Sequence, residues 1–301
     1  MRRLVTLAWA VLAFSLVVIS LGALVRATGS GAGCGRSWPT CGGELLPELE
    51  GARAFEFTHR AFSGIALILV VALALLVWRN TGKGHPARAG VALAVAAIIG
   101  EALIGAMIVL AEWVAEDTSV ARAVSVPLHL VNTLLLLAAL TLTIHWLRGG
   151  GRLSFRHNRR MAWMVAAGGF ALLLIAASGA VTALADTLFP DEGLTGDFSE
   201  DAHFLTRLRI VHPALAVLAA AIGWWAASRV GPVRSGAARA LPVLVGLMLV
   251  SGGVNVMLGV PVWMQLVHLF LADLLWIAYV FASAQALQVS EATASRLSPS
   301  R

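Results

Sequence analysis

Four histidines lie inside long apolar runs, where an ionisable side chain is a candidate for function. They are His59, His129, His212 and His268, and each falls near the start of a different run. Imidazole nitrogens bind zinc, copper, iron and nickel, so these residues in this pattern indicate metal chemistry. Glu56 precedes His59 by three residues, and on a helix the two side chains share one face.

The chain contains eight apolar runs, four of which carry these histidines. Each run is long enough to cross a hydrocarbon core of about 30 Å. Only 13% of the 301 residues are charged and 59% are hydrophobic, whereas a soluble chain carries roughly 25% charged residues. The first run has no convincing cleavage site and is predicted to be a retained helix. The predicted spans are residues 4–25, 57–78, 90–111, 126–147, 161–184, 207–228, 240–258 and 263–287.

Basic and acidic residues alternate between the runs, which predicts the orientation of the spans. The two termini and every second loop hold 15 of the 22 Lys and Arg residues and a single acidic residue, Glu291. Both termini are therefore predicted to be cytoplasmic, and the net charge of +6 reflects topology rather than nucleic-acid binding. Every even-numbered span then runs inward, which places all four histidines within about two turns of the outer surface.

The chain divides into two sets of four spans at its longest inner connection. GALVRA at the end of span 1 is similar to GAVTA at the end of span 5, and HLVNTLLLL in span 4 is similar to HLFLADLLW in span 8. We predict an all-α polytopic membrane protein of two pseudo-symmetric four-helix bundles in a parallel repeat. The predicted parts are an N-terminal half at 1–147, a basic cytoplasmic linker at 148–160, a C-terminal half at 161–288 and a cytoplasmic tail at 289–301.

Each half supplies two histidines, and two histidines facing across an apolar gap in a bundle suit a haem. A zinc site usually recruits further Cys, Asp or Glu ligands. Other metals, or packed histidines without a ligand, remain alternatives at this point.

Charged residues at the outer helix ends have two interpretations each. Glu56 could act as an acid, a base or a stabiliser of positive charge beside a haem edge, or it could be a carboxylate favoured by the helix dipole. Arg26, Arg60 and Arg209 could bind haem propionates, or they could extend to lipid headgroups.

The two cysteines, Cys34 and Cys41, lie in the predicted first outer loop, within GSGAGCGRSWPTCGG. An outward-facing, oxidising location permits a disulfide there, and two unpaired thiols are the alternative. Two cysteines alone provide too few ligands for a metal site.

Five stretches together resemble one known family: GALVRATGSGAGC, EFTHR, PLHLVN, IVHP and LVHLFLADLLW. They are similar to the haem A synthase family of the bacterial eight-span type, over essentially the whole chain. Its members oxidise the C8 methyl of haem O to a formyl group, which makes haem A for terminal cytochrome oxidases. The resemblance therefore implies an oxidoreductase that acts on a haem CH group in a water-dependent reaction.

The resemblance also implies a role for each matching residue. It makes Glu56 the catalytic carboxylate and joins Cys34 to Cys41 in a disulfide. The axial ligands that it implies are His59 and His129 for the substrate haem O, and His212 and His268 for a haem b (iron protoporphyrin IX) cofactor. One departure is Glu101 in span 3, where the family pattern leads us to expect Gln.

The resemblance further implies a location in the inner (plasma) membrane, among membrane lipid, with both haem sites toward the outer face. Haem O synthase, the farnesyltransferase that makes the substrate, is the expected partner. The sequence does not identify the electron acceptor, and its small residues permit a homo-oligomer. Two other functions compete with the enzyme: a di-haem membrane electron carrier, and a haem transporter or chaperone.

Overall fold

The protein is described by a computed structural model over residues 1–190, 199–229 and 236–289, with the backbone alone described for 224–229. These parts of the chain form helices joined by turns and short 3₁₀ segments, and eight spans are long and apolar enough to cross a membrane. The all-α, eight-span prediction is confirmed. The helices are α1 Arg2–Ala27, α2 Gly51–Asn80, α3 Ala87–Leu110, α4 Val120–Leu147, α5 Arg159–Leu188, α6 Phe204–Arg207, α7 Val211–Arg229, α8 Gly236–Met257 and α9 Val262–Leu287.

Several helices extend beyond the predicted spans, because helices continue past the apolar core into the interface. Helix α2 begins at Gly51 rather than at 57, so Glu56 and His59 both lie on it. The sixth span is interrupted near its N-terminal end, where α6 passes through the 3₁₀ turn Leu208–Ile210 into α7. Pro213 has no N–H to donate to the carbonyl of Arg209, and that carbonyl instead accepts a bond from Thr182 Oγ1 at 3.4 Å.

The main core is formed by the inward faces of α1 to α4, and α9 joins it from the second half. Leu137 and Leu140 on α4 are fully buried there, and Trp276 on α9 is 7% exposed. Trp276 Nε1 donates to the carbonyl oxygen of Leu134 at 2.7 Å. Because α4 carries His129 and α9 carries His268, this contact joins the histidine-bearing helices of the two halves.

The linker 148–160 is attached to the C-terminal end of α9. Ser154 N donates to the carbonyl oxygen of Leu287, and Val289 N donates to that of Arg152, each at 2.9 Å. The remainder of the predicted tail, 290–301, and the loop residues 191–198 and 230–235 lie outside the described residues. The half boundaries and the cytoplasmic position of the termini stay predictions.

Candidate functional site

One large cavity contains all four histidines that the sequence singled out. It has a volume of about 2580 Å³ and walls from both halves, most of them apolar. Single small-molecule pockets occupy roughly 300–1,000 Å³. The space is therefore sufficient for more than one ligand of haem size, with two imidazoles available in each half.

The second-half histidines are oriented by bonds at Nδ1. His212 Nδ1 lies 3.0 Å from the carbonyl oxygen of Ile175 and 3.3 Å from Ser178 Oγ. His268 Nδ1 lies 2.8 Å from Ser251 Oγ, and the two imidazole rings are 6.2 Å apart and perpendicular. A partner at Nδ1 leaves Nε2 for a metal, which is the arrangement of most histidine ligands.

The first-half histidines are held differently. His129 Nδ1 lies 3.2 Å from Glu101 Oε2, although its N–H is not aligned as a hydrogen bond. His59 Nδ1 is buried without a hydrogen-bond partner among the described residues. Ring nitrogens without partners inside an apolar cavity are consistent with a site that is completed by a ligand.

A glycine on the preceding span lies against each histidine ring. A Cβ added at three of these positions would come within 2.9–3.2 Å of the ring carbon Cε1, and at the fourth it would lie at 3.9 Å. The three close pairs are Gly22 with His59, Gly179 with His212, and Gly252 with His268; the looser pair is Gly105 with His129. Each imidazole ring therefore occupies space that is open because the neighbouring residue is glycine and has no side chain.

These glycines explain the weak repeat that the sequence showed. Gly22 is the first residue of GALVRA and Gly179 is the first residue of GAVTA. Both stretches end a span that packs on the next histidine-bearing helix. The role of these glycines was not predicted, because the contact crosses between helices, but the repeated glycine was a visible signal.

Glu56 lies in the cavity wall and is 3% exposed. Its Oε2 accepts the backbone N–H of Cys34 at 2.7 Å, and its Oε1 forms an ion pair with Arg60 one turn along α2. Arg60 also donates to the backbone carbonyl oxygens of Ser37 and Thr40. The carboxylate is thus fixed in position and connected to the first loop through two independent contacts.

That loop is closed by the predicted disulfide, since Cys34 and Cys41 are joined. Trp38 and Pro39, inside the ring that the disulfide closes, form part of the cavity wall. The disulfide loop therefore covers the first-half end of the cavity and is held to Glu56 and Arg60.

Arg26 and Arg209 also line the cavity, together with Arg60. Arg26 extends from α1 into the second half, where it donates to Thr187 Oγ1 and to Gln265 Oε1, each at 2.7 Å. Arg209 pairs with Asp186, with 3.0 Å between Nε and Oδ1. All three arginines hold protein groups at the cavity edge, and their predicted contacts with propionates stay proposals.

Asp273 on α9 also lines the cavity, and it was not predicted as a site residue, although it lies within the stretch HLFLADLLW. It is 1% exposed, and neither of its carboxylate oxygens has a hydrogen-bond partner in the part of the chain that is described. A charged residue in the middle of span 8 was the available signal.

The residues fit a haem in each half: an apolar cleft, paired imidazoles and ring spaces that glycine keeps open. Fold and site together define an eight-span membrane protein with a cavity lined by two histidine pairs. Its sequence matches the family model described as "Cytochrome oxidase assembly protein" over residues 5–54 and 51–280. The chain belongs to this family, and the resemblance to haem A synthases is confirmed.

Relatives of two kinds are similar to it. A "Protoheme IX farnesyltransferase" of Thermus thermophilus is 45% identical over 299 residues, which are 95% of this chain and 49% of the relative. A "Heme A synthase" of Bacillus pumilus is 41% identical over 95 residues, 31% of each chain. One of Bacillus licheniformis is 43% identical over 91 residues, 30% of each chain. The chain thus spans about half the length of the first relative and aligns with a third of the others.

Proposed function

We propose that the protein is a haem A synthase, which oxidises the C8 methyl of haem O to a formyl group through a hydroxymethyl intermediate. The observation that carries the proposal is the asymmetry of the shared cavity: both halves offer a histidine pair, but only the first half places a carboxylate three residues before one of them. The matching position in the second half is Arg209, which precedes His212. Two similar binding sites with different chemistry suit one substrate and one resident cofactor.

In this proposal His59 and His129 hold haem O, and His212 and His268 hold haem b. The bound haem b supplies one-electron redox chemistry. The Nδ1 contacts of His212 and His268 fix their rings before any ligand arrives, as a permanently held cofactor requires. The first-half rings have fewer partners of their own, which suits a ligand that must enter and leave.

Each of the two oxidations adds one oxygen atom from water to the methyl carbon and removes two electrons and two protons. The geminal diol formed by the second oxidation then loses water to give the aldehyde. Positive charge develops at the carbon, and a negative group fixed beforehand in a dry site stabilises it most effectively. In the proposal Glu56 is this group, and the contacts of both its oxygens with Cys34 N–H and Arg60 at the cavity wall support the role.

The longer Thermus relative supports a functional connection with haem O synthase, since that relative is named a protoheme IX farnesyltransferase. We propose that the protein takes its substrate from such an enzyme in the inner (plasma) membrane, at sites toward the outer face. A di-haem electron carrier is disfavoured, because carriers usually connect haems near opposite surfaces and here one cavity holds all four histidines.

The test is acid extraction and mass analysis of haems from cells that express this chain with a haem O source. Haem A or hydroxymethyl haem O should appear only when the chain is present. Unchanged haem O beside a bound b-type haem, in protein that is shown to be folded, would support a carrier or transporter and contradict the proposal.

The glycine contacts give a second prediction. Gly22→Ala should lower haem retention in the first half about tenfold, because the new Cβ displaces the His59 ring, and Gly179→Ala should do the same at His212. The measurement is haem content per protein after detergent purification. Gly246→Ala on α8 is the control, since no atom lies within 4 Å of its added Cβ. Equal haem loss in all three variants would contradict a ring-specific effect.

A further inference from the structure

Glu101 is a carboxylate in the cavity wall, on the helix before that of His129. Its Oε2 lies 3.2 Å from His129 Nδ1. Asn132 Nδ2 donates to Oε1, and Thr133 Oγ1 lies 3.0 Å from Oε2 in a donating position. Oε1 is thus an acceptor, while the one hydroxyl hydrogen of Thr133 is shared between Oε2 and the carbonyl oxygen of His129 at 2.9 Å. Two residues of α4 therefore hold the side chain against the histidine.

The His129 ring has room to complete this contact. Its Nδ1 has no aligned hydrogen bond among the described residues, and its 3.2 Å separation from Oε2 is a hydrogen-bond distance once the N–H points at the carboxyl group. Gly105 leaves the space, because even an added Cβ there would lie 3.9 Å from Cε1, farther than at the other three ring glycines. A metal that binds Nε2 requires one defined ring orientation, and Glu101 is positioned to supply it.

The other half offers its histidines uncharged partners. His212 Nδ1 faces the carbonyl oxygen of Ile175 and the hydroxyl of Ser178. His268 Nδ1 faces the hydroxyl of Ser251. The two halves therefore differ in the carboxyl group beside a histidine ring as well as in Glu56.

We propose that Glu101 is a positioning residue that makes His129 the stronger electron donor and gives the first-half haem the lower reduction potential of the two. The inference rests on the proposed function, since it requires a haem in the first half. A carboxylate at Nδ1 increases the electron density that an imidazole donates to iron, and this favours the ferric state. The effect is larger in an apolar cavity than in water, because the charge is poorly screened there.

This difference in potential has a consequence for the direction of electron flow. An electron shared between the two sites spends more time on the haem with the higher potential, which is the second-half haem. The arrangement thus favours the second-half haem as the electron-accepting side relative to the substrate site. Uncharged partners at both sites would remove this bias.

The test is spectroelectrochemical titration of the full-length holoprotein, purified from cells that supply haem O. Glu101→Gln keeps the side-chain length and removes the charge. At a fixed potential it should raise the reduced-to-oxidised ratio of the first-half haem about tenfold, a shift of 59 mV for one electron. Ser251→Ala is the matched control and should move only the second-half haem. Glu101→Asp keeps the charge and should stay within about twofold of the unmodified protein.

The possible outcomes separate the two proposals. An unchanged potential in folded, haem-loaded Glu101→Gln protein would make Glu101 a packing residue only and overturn the inference. A second check needs no Glu101 variant and compares the unmodified protein with Ser251→Ala. The haem with the lower reduction potential in the unmodified protein must be the one whose potential Ser251→Ala leaves unchanged. If Ser251→Ala shifts the potential of that haem instead, the inference is also overturned. If the unmodified protein held a single titrating haem, and that haem were still bound after His59→Ala, the proposed first-half site would be contradicted instead.

Discussion

Replacing His268 with Ala should remove the b-type haem of the second half and leave haem O binding in the first half intact. The residue sits in the wall of the shared cavity, and its Nδ1 is already bonded to Ser251, so Nε2 is the nitrogen left for iron. Alanine offers no ligand to iron, so the haem is held less tightly. Any haem that remains has one axial histidine and loses its low-spin spectrum. Reduced-minus-oxidised spectra with extraction of each haem type measure the result.

His59→Ala is the reciprocal variant and should remove retained substrate haem while the b-type spectrum persists. His157→Ala serves as the matched control, because this exposed histidine lies in the linker 148–160 and does not line the cavity. All variants must first give the elution profile of a folded protein. If His268→Ala and His59→Ala produced one identical spectrum, the division of labour between the halves would be wrong.

The eight spans could be predicted from the sequence, because a membrane helix depends on local composition, and the four histidines lie on four of these spans. A run of about 20 apolar residues has few alternatives to a membrane helix. The disulfide was predicted from the resemblance and is present in the structure between Cys34 and Cys41. Helix ends were predicted less accurately, since α2 starts at Gly51 and a 3₁₀ turn at Leu208–Ile210 precedes α7.

Contacts between helices were the part that the sequence could not provide. Arg26 was expected at haem propionates or lipid, yet it reaches across to Thr187 and Gln265 of the second half. A guanidinium on a long flexible stem can satisfy its donors in many directions, so its partner depends on how the helices pack. The same holds for Gly22, whose contact with the His59 ring follows from the approach of α1 to α2.

The site also shows that the repeated pair of histidines is insufficient by itself to describe the chemistry of the two halves. Matching histidines made the two halves appear equivalent in sequence, whereas their surroundings differ in charge. The first half has Glu101 beside His129, and Glu56, which pairs with Arg60, three residues before His59. The second half has Arg209, which pairs with Asp186, in the place of Glu56. These charges, rather than the ligands, distinguish a site for reaction from a site for a resident cofactor in our proposal.

Replacing Glu56 with Gln should stop formation of the hydroxymethyl and formyl products while haem O still binds. We expect a rate lower by about 10²–10⁴-fold, the range for loss of a positioned acid or base. Gln keeps the length of the side chain, and its carbonyl oxygen can still accept the Cys34 N–H, so the disulfide loop should remain in place. The measurement is the ratio of the hydroxymethyl and formyl products to haem O, with total haem per protein determined in the same sample.

The lost ion pair is the main complication, because breaking a buried pair leaves Arg60 uncompensated and costs about 3–5 kcal/mol in other proteins. Arg60 retains the carbonyl oxygens of Ser37 and Thr40, which reduces that cost. Thermal unfolding of the purified variant separates instability from lost chemistry, and the exposed Glu48→Gln is the matched control. Loss of haem O binding in folded Glu56→Gln protein would make Glu56 a structural residue, and oxidised product at the unmodified rate would remove it from the mechanism.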